Sequence, residues 1–544
     1  MAVFALTLVL RSMVFPDGHA PPATDEFGYL GDGLLLLEGV TPAYKFAPSG
    51  PLTWFTALIG GLDTLRLLLV GDPALNGVPG LLKPGVALDA VLFKHYADLA
   101  TLRVLTVAMI VALFSYTAFT VARWGAVIGG AAGAIVAGGL LAGMPILIEF
   151  STETRPYAVA WSLALLALVA AGGDGQRRIA GAGVLIGLAV GTRIEMVMLG
   201  PLVLLLQWRA AGGRPPWRDF AVTIATAALA FLVVAPWYLP HLVGNLRLIL
   251  SIRLLDSQAA AEPAWKVFLR EGLALPLLLT LAGLAVCAMR RRWPEALAGL
   301  WLLLLTAIAF RPSVWGLHHD GALVVATISL SPLAIHALGE LLRPARRGAI
   351  ALTVATLVIA PTIVLGVRYA WELHQRRAAD ESIAWIEHNV AAGSTVFVVF
   401  DRIDVPLPTA DAAERIWQNV AQPDAWRDKL RFGLDRFGLD KGVAPRALSE
   451  ELMYQERGLL RRFYILGAPY RPDRPRYDLW IVPYSKVFGV RLADAVRRVC
   501  ADGGTLLFTG EPIAALPAPA ASWPHPDGFG TKIYVVQPGA CPHV

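Results

Sequence analysis

IAGAGVLIGLAVGTRIEMVMLGPLVLLLQ, residues 179–207, is apolar along most of its length and carries the charged string GTRIE (191–195) near its middle. A membrane-crossing helix needs about 20 mostly apolar residues, so the run is long enough for one span. It also reads as two short helices joined at GTRIE, and the choice propagates through the chain. Further apolar runs at 2–15, 98–122, 124–146, 156–172, 219–239, 266–289, 295–310, 321–338 and 348–369 suit spanning helices. A second ambiguous stretch, PLTWFTALIGGLDTLRLLLV (51–70), is interrupted by Asp63 and Arg66. Suppose that 51–70 lies along the interface and 179–207 doubles back at GTRIE. One side then holds Arg123; Arg177 and Arg178; Arg209, Arg214 and Arg218; Arg290, Arg291 and Arg292; and Arg343, Arg346 and Arg347. Cytoplasmic loops are enriched in Lys and Arg, and this arrangement puts every cluster inside. A single helix over 179–207 would send the last three clusters outside. Single spans at both ambiguous stretches would expose Arg123, Arg177 and Arg178 instead. The expected fold is therefore mainly α: a polytopic membrane protein of about 11 transmembrane helices, N-terminus in and C-terminus out.

Composition agrees. The 544 residues are 56% hydrophobic and 16% charged, with a mean hydropathy of +0.57, whereas soluble domains carry about 25% charged residues. The net charge of +6 is spread as short arginine clusters between apolar runs, which argues for membrane lipids as surroundings and against a nucleic-acid partner. Residues 1–370 form the transmembrane module, with a large first outer loop at 16–97. Residues 371–544 read as a soluble α/β domain on the far side. In it DESIAWIEHNV (380–390) and RLADAVRRVC (491–500) have helical spacing, and STVFVVF (394–400), DLWIVPY (478–484), TLLFTG (505–510) and KIYVVQ (532–537) read as strands. Cys287 sits in an apolar run. Cys500 and Cys541 share the polar tail, where they could pair in an oxidising compartment or stay as free thiols; no zinc-type spacing occurs.

Four outer stretches carry candidate chemistry. TDEFGYLGDGLLLLEG (24–39) places Asp25 and Glu26 just beyond a span, with Tyr29 one helical turn on. Ordinary helix capping would explain the acidic pair, but an ionisable group at the mouth of a membrane cavity is a functional candidate. EFSTETRPYAVAW (149–161) crowds Glu149, Glu153 and Arg155 at the start of a span, with Pro156 suited to a first helical turn. An acidic cap beside a snorkelling arginine reads the same residues without function. GTRIE holds Arg193 and Glu195, which could pair with each other or leave Arg193 as a cation for a phosphate. RPSVWGLHHDGA (311–322) holds His318, His319 and Asp320, read as a polar loop or a substrate contact rather than a metal site, because adjacent histidines in an extended turn point apart.

These motifs resemble the GT-C superfamily of glycosyltransferases. The resemblance rests on Asp25, Glu26 and Tyr29 as a DE-x-x-Y element in the first outer loop, followed by Gly39, Pro42, Tyr44, Pro48 and Pro51. RPYA (155–158) and GLAVGTR (187–193) add to it, over about residues 1–370. The branch it is most similar to is the bacterial relatives of dolichyl-phosphate-mannose protein mannosyltransferases, including the lipid A aminoarabinose transferases and the Rgt-type enzymes. The resemblance implies a GT-C-like catalytic module in the bacterial inner membrane, its tail domain periplasmic. It implies inverting transfer of a sugar from a polyprenyl-phosphate-linked donor to a hydroxyl of a lipid, glycan or protein acceptor. Asp25 then takes the catalytic role, and Glu26, Tyr29, Glu153, Arg155, Tyr157, Arg193, His318 and His319 bind substrates. No cofactor is assigned; a divalent metal is possible, with Glu153 as its candidate ligand. The HHDG loop stands where relatives carry R-Y or H-Y. A transporter or flippase of lipid-linked glycans is the alternative; it should show internal repeats and charges at span midpoints, and the sequence reads as having neither.

Overall fold

The computed structural model describes residues 1–14, 29–30, 33, 36–37, 49–70, 100–173, 175–212, 214–242, 263–311, 317, 320–342, 344–375, 378–400, 406, 409, 411–412, 475–483, 492–509, 512–523 and 531–541. Helices α1 (Ala2–Ser12), α2 (Gly50–Val70), α3 (Ala100–Gly143), α4 (Pro145–Ser151), α5 (Pro156–Ala171), α6 (Gln176–Thr192), α7 (Gly200–Ala210) and α8 (Trp217–Val234) make up the first half. The second half of the helical bundle holds α9 (Ala264–Arg270), α10 (Ala274–Met289), α11 (Trp293–Ala309), α12 (Gly321–Gly339) and α13 (Pro344–Gln375).

The stretch 179–207 does double back. α6 ends at Thr192, Arg193 is extended (φ −145°, ψ 116°), a 3-10 turn covers Ile194–Leu199, and α7 begins at Gly200. Inside a continuous helix Pro201 would cost about 3 kcal/mol, because it lacks the N–H owed to Val197 and its ring would clash there; in the first turn of α7 neither cost arises. Gln207 Nε2 donates to Thr223 Oγ1 at 2.6 Å, and Thr223 Oγ1 donates to Ile179 O at 3.4 Å. In one straight helix Ile179 and Gln207 would be about 42 Å apart. With α7 returning, α8 runs parallel to α6: Gly183, Gly187 and Gly191 meet Thr223, Ala227 and Val234 in turn. A Cβ on Gly187 would lie 2.2 Å from Ala227 O, so the glycines set how closely the two backbones approach.

A second reversal lies inside α3. Gly130 has φ +63°, and Gly125 and Gly133, eight residues apart, touch through their backbones. The expected loop at Arg123 is thus displaced to Gly130. Arg123 stays helical with its guanidinium 5.7 Å from the Phe119 ring, and the positive φ falls where no Cβ opposes it.

Among the described residues four helical stretches are long and apolar enough to cross a membrane, Leu102–Gly143 (which includes the Gly130 reversal), Trp217–Val234, Gly321–Gly339 and Arg347–Leu373. Two bent pairs bring the number to six: α4 with α5 at 112°, and α9 with α10 at 100°. The protein is a multi-pass membrane protein. Leu229, Val233, Leu300 and Leu357 point outward, as helix faces do when the solvent is lipid. The stretch 51–70 lies in the single helix α2, where Asp63 and Arg66 pair at 2.6 Å.

At one end of the bundle Arg209 pairs with Glu295, and Arg290, Arg292 and His336 converge on Glu340. Glu340 closes α12, whose other end carries Asp320 and Gly321. Arg209, Arg290 and Arg292 therefore lie at the end of the bundle opposite the candidate site.

The tail holds α14 (Ala378–Asn389), β1 (Thr395–Phe400), β2 (Asp478–Pro483), α15 (Leu492–Asp502), β3 (Gly504–Thr509), β4 (Ala521–Trp523) and β5 (Thr531–Val536). The sheet order is β2-β1-β3-β5-β4, with β1 parallel to β2 and β3 and the last pairs antiparallel. Alternation along β1 sends Val396 and Val398 to one face with Ile383 and Ile386 of α14, and Phe397 to the other with Val496 and Val499 of α15. A Cys500–Cys541 disulfide ties α15 to the segment after β5; Cys287 is buried and free.

Candidate functional site

The site is built on the elbow between α4 and α5. Arg155 must be extended because Pro156 follows it, and it is (φ −115°, ψ 150°); Pro156 then opens α5. The elbow presents Glu153 and Arg155, paired at 3.0 Å, with Arg155 4% exposed. The Arg155 guanidinium also stands 5.5 Å from the Phe150 ring.

Arg193 reaches the same end from the break between α6 and α7. It is 5% exposed, ion-paired with Glu195, and lies 4.1 Å from the centroid of the Tyr157 ring. A desolvated cation–π contact is worth about 2 kcal/mol. Burial works against the Arg193 charge, but Glu195, Tyr157 and Tyr29 outweigh it and push its pKa above the ordinary arginine value. Tyr29 thus acts on Arg193, and Leu30 beside it is fully buried. The Phe150 and Tyr157 centroids are 4.4 Å apart, so a pair of rings stands between the two cations, and Trp161 closes the group at 5.6 and 5.8 Å. Gly321, the first residue of α12, packs on Trp161 so tightly that a Cβ would sit 2.0 Å from its Nε1.

Of the residues singled out in the sequence, Glu153, Arg155, Tyr157, Arg193 and Tyr29 gather at this end. Asp25, Glu26, His318 and His319 lie outside the described residues. Leu317 and Asp320, on either side of the histidines, are both buried. Such an arrangement offers fixed cations and ring faces at a membrane boundary, a setting for an anionic headgroup. Among the described residues no group of three His, Cys, Asp or Glu comes together as a metal site.

Three polar groups beside the elbow were not singled out. Tyr369 of α13 donates to Glu149 at 2.8 Å, Glu271 accepts from the Ile146 N–H at 2.9 Å, and Arg11 donates to Ser151 at 2.6 Å. The run 2–15, read as a clean span, holds in Arg11 a fully buried guanidinium. The available signal was the rule that an ionisable residue inside an apolar run is there for a reason.

No known family and no curated protein matches the sequence. Among solved structures, the chain is similar to ArnT from Cupriavidus metallidurans bound to undecaprenyl phosphate, at 11% identity and a TM-score of 0.44, covering 98% of this chain and 97% of that one. It is also similar to the apo oligosaccharyltransferase of Archaeoglobus fulgidus, at 13% identity and a TM-score of 0.40, covering 73% of this chain and 62% of that one. Both are GT-C glycosyltransferases.

Proposed function

We propose that this chain is an inverting glycosyltransferase that moves a sugar from a polyprenyl-phosphate carrier to an acceptor hydroxyl at the extracytoplasmic face of its membrane. The observation that carries the reading is the convergence of two buried arginines, Arg155 and Arg193, with Tyr157 and Tyr29 at one end of the bundle. In a direct displacement the acceptor oxygen attacks the anomeric carbon, the bond from that carbon to the phosphate oxygen breaks, and the configuration inverts. The acceptor proton passes to a carboxylate, the role assigned to Asp25. The departing phosphate gains negative charge and needs cations rather than an acid, the role assigned to Arg155 and Arg193. Glu153 orients Arg155, and Glu26, His318 and His319 complete the substrate contacts.

Residues 1–370 act as the catalytic module and 371–544 as a periplasmic domain of a bacterial inner-membrane enzyme. The Cys500–Cys541 bond supports that placement, since disulfides persist in oxidising compartments. The acceptor class stays open among lipid, glycan and protein. Membranes carrying the protein, supplied with a polyprenyl-phosphate sugar, should transfer it. Asp25→Asn should lower the rate by about 100-fold or more; a variant as active as the unaltered protein would remove Asp25 from the mechanism.

A further inference from the structure

We infer that Arg11 and Glu271 are positioning residues that cap the two sides of the helix break at Met144–Pro145 and so hold the elbow that carries Glu153 and Arg155. In an unbroken helix Leu141 O would accept from the N–H of residue 145 and Ala142 O from that of residue 146. Residue 145 is proline and has no N–H, while the Ile146 N–H donates to Glu271 Oε2 instead. Two carbonyls are therefore orphaned at a depth where water is scarce. Arg11 takes both, Nη2 donating to Leu141 O at 3.0 Å and Nη1 to Ala142 O at 3.3 Å.

The same guanidinium reaches across the break. Nη2 also donates to Leu147 O at 3.3 Å and Nε to Ser151 Oγ at 2.6 Å, so one side chain from α1 holds α4 at both ends. Its remaining N–H returns to Thr7 O at 3.2 Å, which uses all five donors that an arginine has. The signs suit the helix dipoles, a cation at the C-terminus of α3 and a carboxylate at the N-terminus of α4. Glu271 is itself fixed. It sits in the turn between α9 and α10, where the carbonyl of Gly272 (φ +69°) accepts from Thr362 Oγ1 at 2.8 Å, next to Pro361 inside α13. A Cβ on Gly272 would meet that hydroxyl at 2.8 Å. The α3–α4 break, the α9–α10 turn and the stretch of α13 beside Pro361 thus meet at one point, and the elbow leaves from it.

A well-paired buried arginine usually only stabilises a fold. Here the tie ends at Ser151, four residues before Arg155, and the bend between α4 and α5 sets where Arg155 and Glu153 stand. A shift of about 1 Å in a binding group is enough to cost about 100-fold in rate. Part of the test rests on the proposed transferase reading, and part is independent of it.

Arg11→Lys, Arg11→Met, Glu271→Gln and Glu271→Leu are made in the full chain, alone and with Thr154→Cys, a position that is fully buried at the elbow. Donor KM and kcat are read with a polyprenyl-phosphate sugar, and the rate of maleimide labelling at position 154 is read without substrate. Glu271→Gln keeps an oxygen for the Ile146 N–H and should stay within about threefold of the unaltered protein. Arg11→Lys, Arg11→Met and Glu271→Leu should raise donor KM by about tenfold or more, with kcat changed less, and should speed labelling. Unchanged KM and labelling in Arg11→Lys and Glu271→Leu would overturn the inference even if Arg11→Met failed to accumulate. A lower melting temperature with unchanged KM and labelling would likewise reduce the pair to structural support. If the unaltered protein transfers nothing but labelling responds as stated, the break caps stand and the transferase reading falls.

Discussion

Arg193 cannot be solvated by water or lipid where it lies, so its charge depends on Glu195 and on the ring faces around it. A lysine could answer the carboxylate but could not also present a flat cation to Tyr157, because its charge is a point on a flexible stem. Arg193→Lys should therefore behave nearly as badly as Arg193→Gln. For both, transfer from the polyprenyl-phosphate donor should fall by about 100-fold, the scale on which a single preorganised charge donor acts. Full rescue by lysine would show that only charge matters there. Arg193 and Arg155 were legible from the sequence as cations at helix boundaries. Their link through the Phe150 and Tyr157 rings was not, because the contact between those rings follows from the elbow angle. For Arg11 the charge inside an apolar run was legible, but its role was not. Its partners are carbonyls about 130 residues away, orphaned by a proline, and no property of the run 2–15 records them.

At the scale of helices, the charged GTRIE string left 179–207 open between one helix and two, the arginine distribution favoured two, and the structure reverses between α6 and α7. The reversal in α3 was placed at Arg123 because charge suggested a loop; the turn went instead to Gly130, where positive φ carries no steric cost. Charge at a helix end still counts at the far end of the bundle. Burial alone would raise the Glu340 carboxyl, but the hydrogen bond from Arg292 and the charges of Arg292, His336 and Arg290 hold it below its ordinary value. A carboxylate depressed in the folded state stabilises above its unfolded pKa and loses that contribution as pH falls through the folded one. The thermal stability of the solubilised protein should accordingly exceed that of Glu340→Gln at neutral pH. The gap should narrow only below about pH 4.5, the ordinary carboxyl value. A gap that persists unchanged well below that pH would mean that Glu340 acts by packing alone.

For the molecule as a whole, Arg209, Arg290 and Arg292 lie at the end opposite the candidate site, as the arginine distribution implied for a membrane protein. A cysteine placed at Ala211, in the turn after α7, should remain unlabelled by an impermeant reagent in intact cells and react once the membrane is opened. Labelling in intact cells would reverse the proposed sidedness. By itself the sequence determined the apolar runs and, in the tail, β1, β2, β3, β5 and the two helices, because hydropathy period acts over a few neighbouring residues; the break at GTRIE followed from the arginine distribution, and β4 went unread. Only the tertiary structure decided that Cys500 meets Cys541, that the Tyr157 ring lies against both Phe150 and Arg193, and that Arg11 and Glu271 close the break at Pro145. The disulfide depends on how the tail sheet sets α15 beside the segment after β5, and the other contacts depend on which groups the packed helices bring together once they exclude water; neither is a property of a single segment.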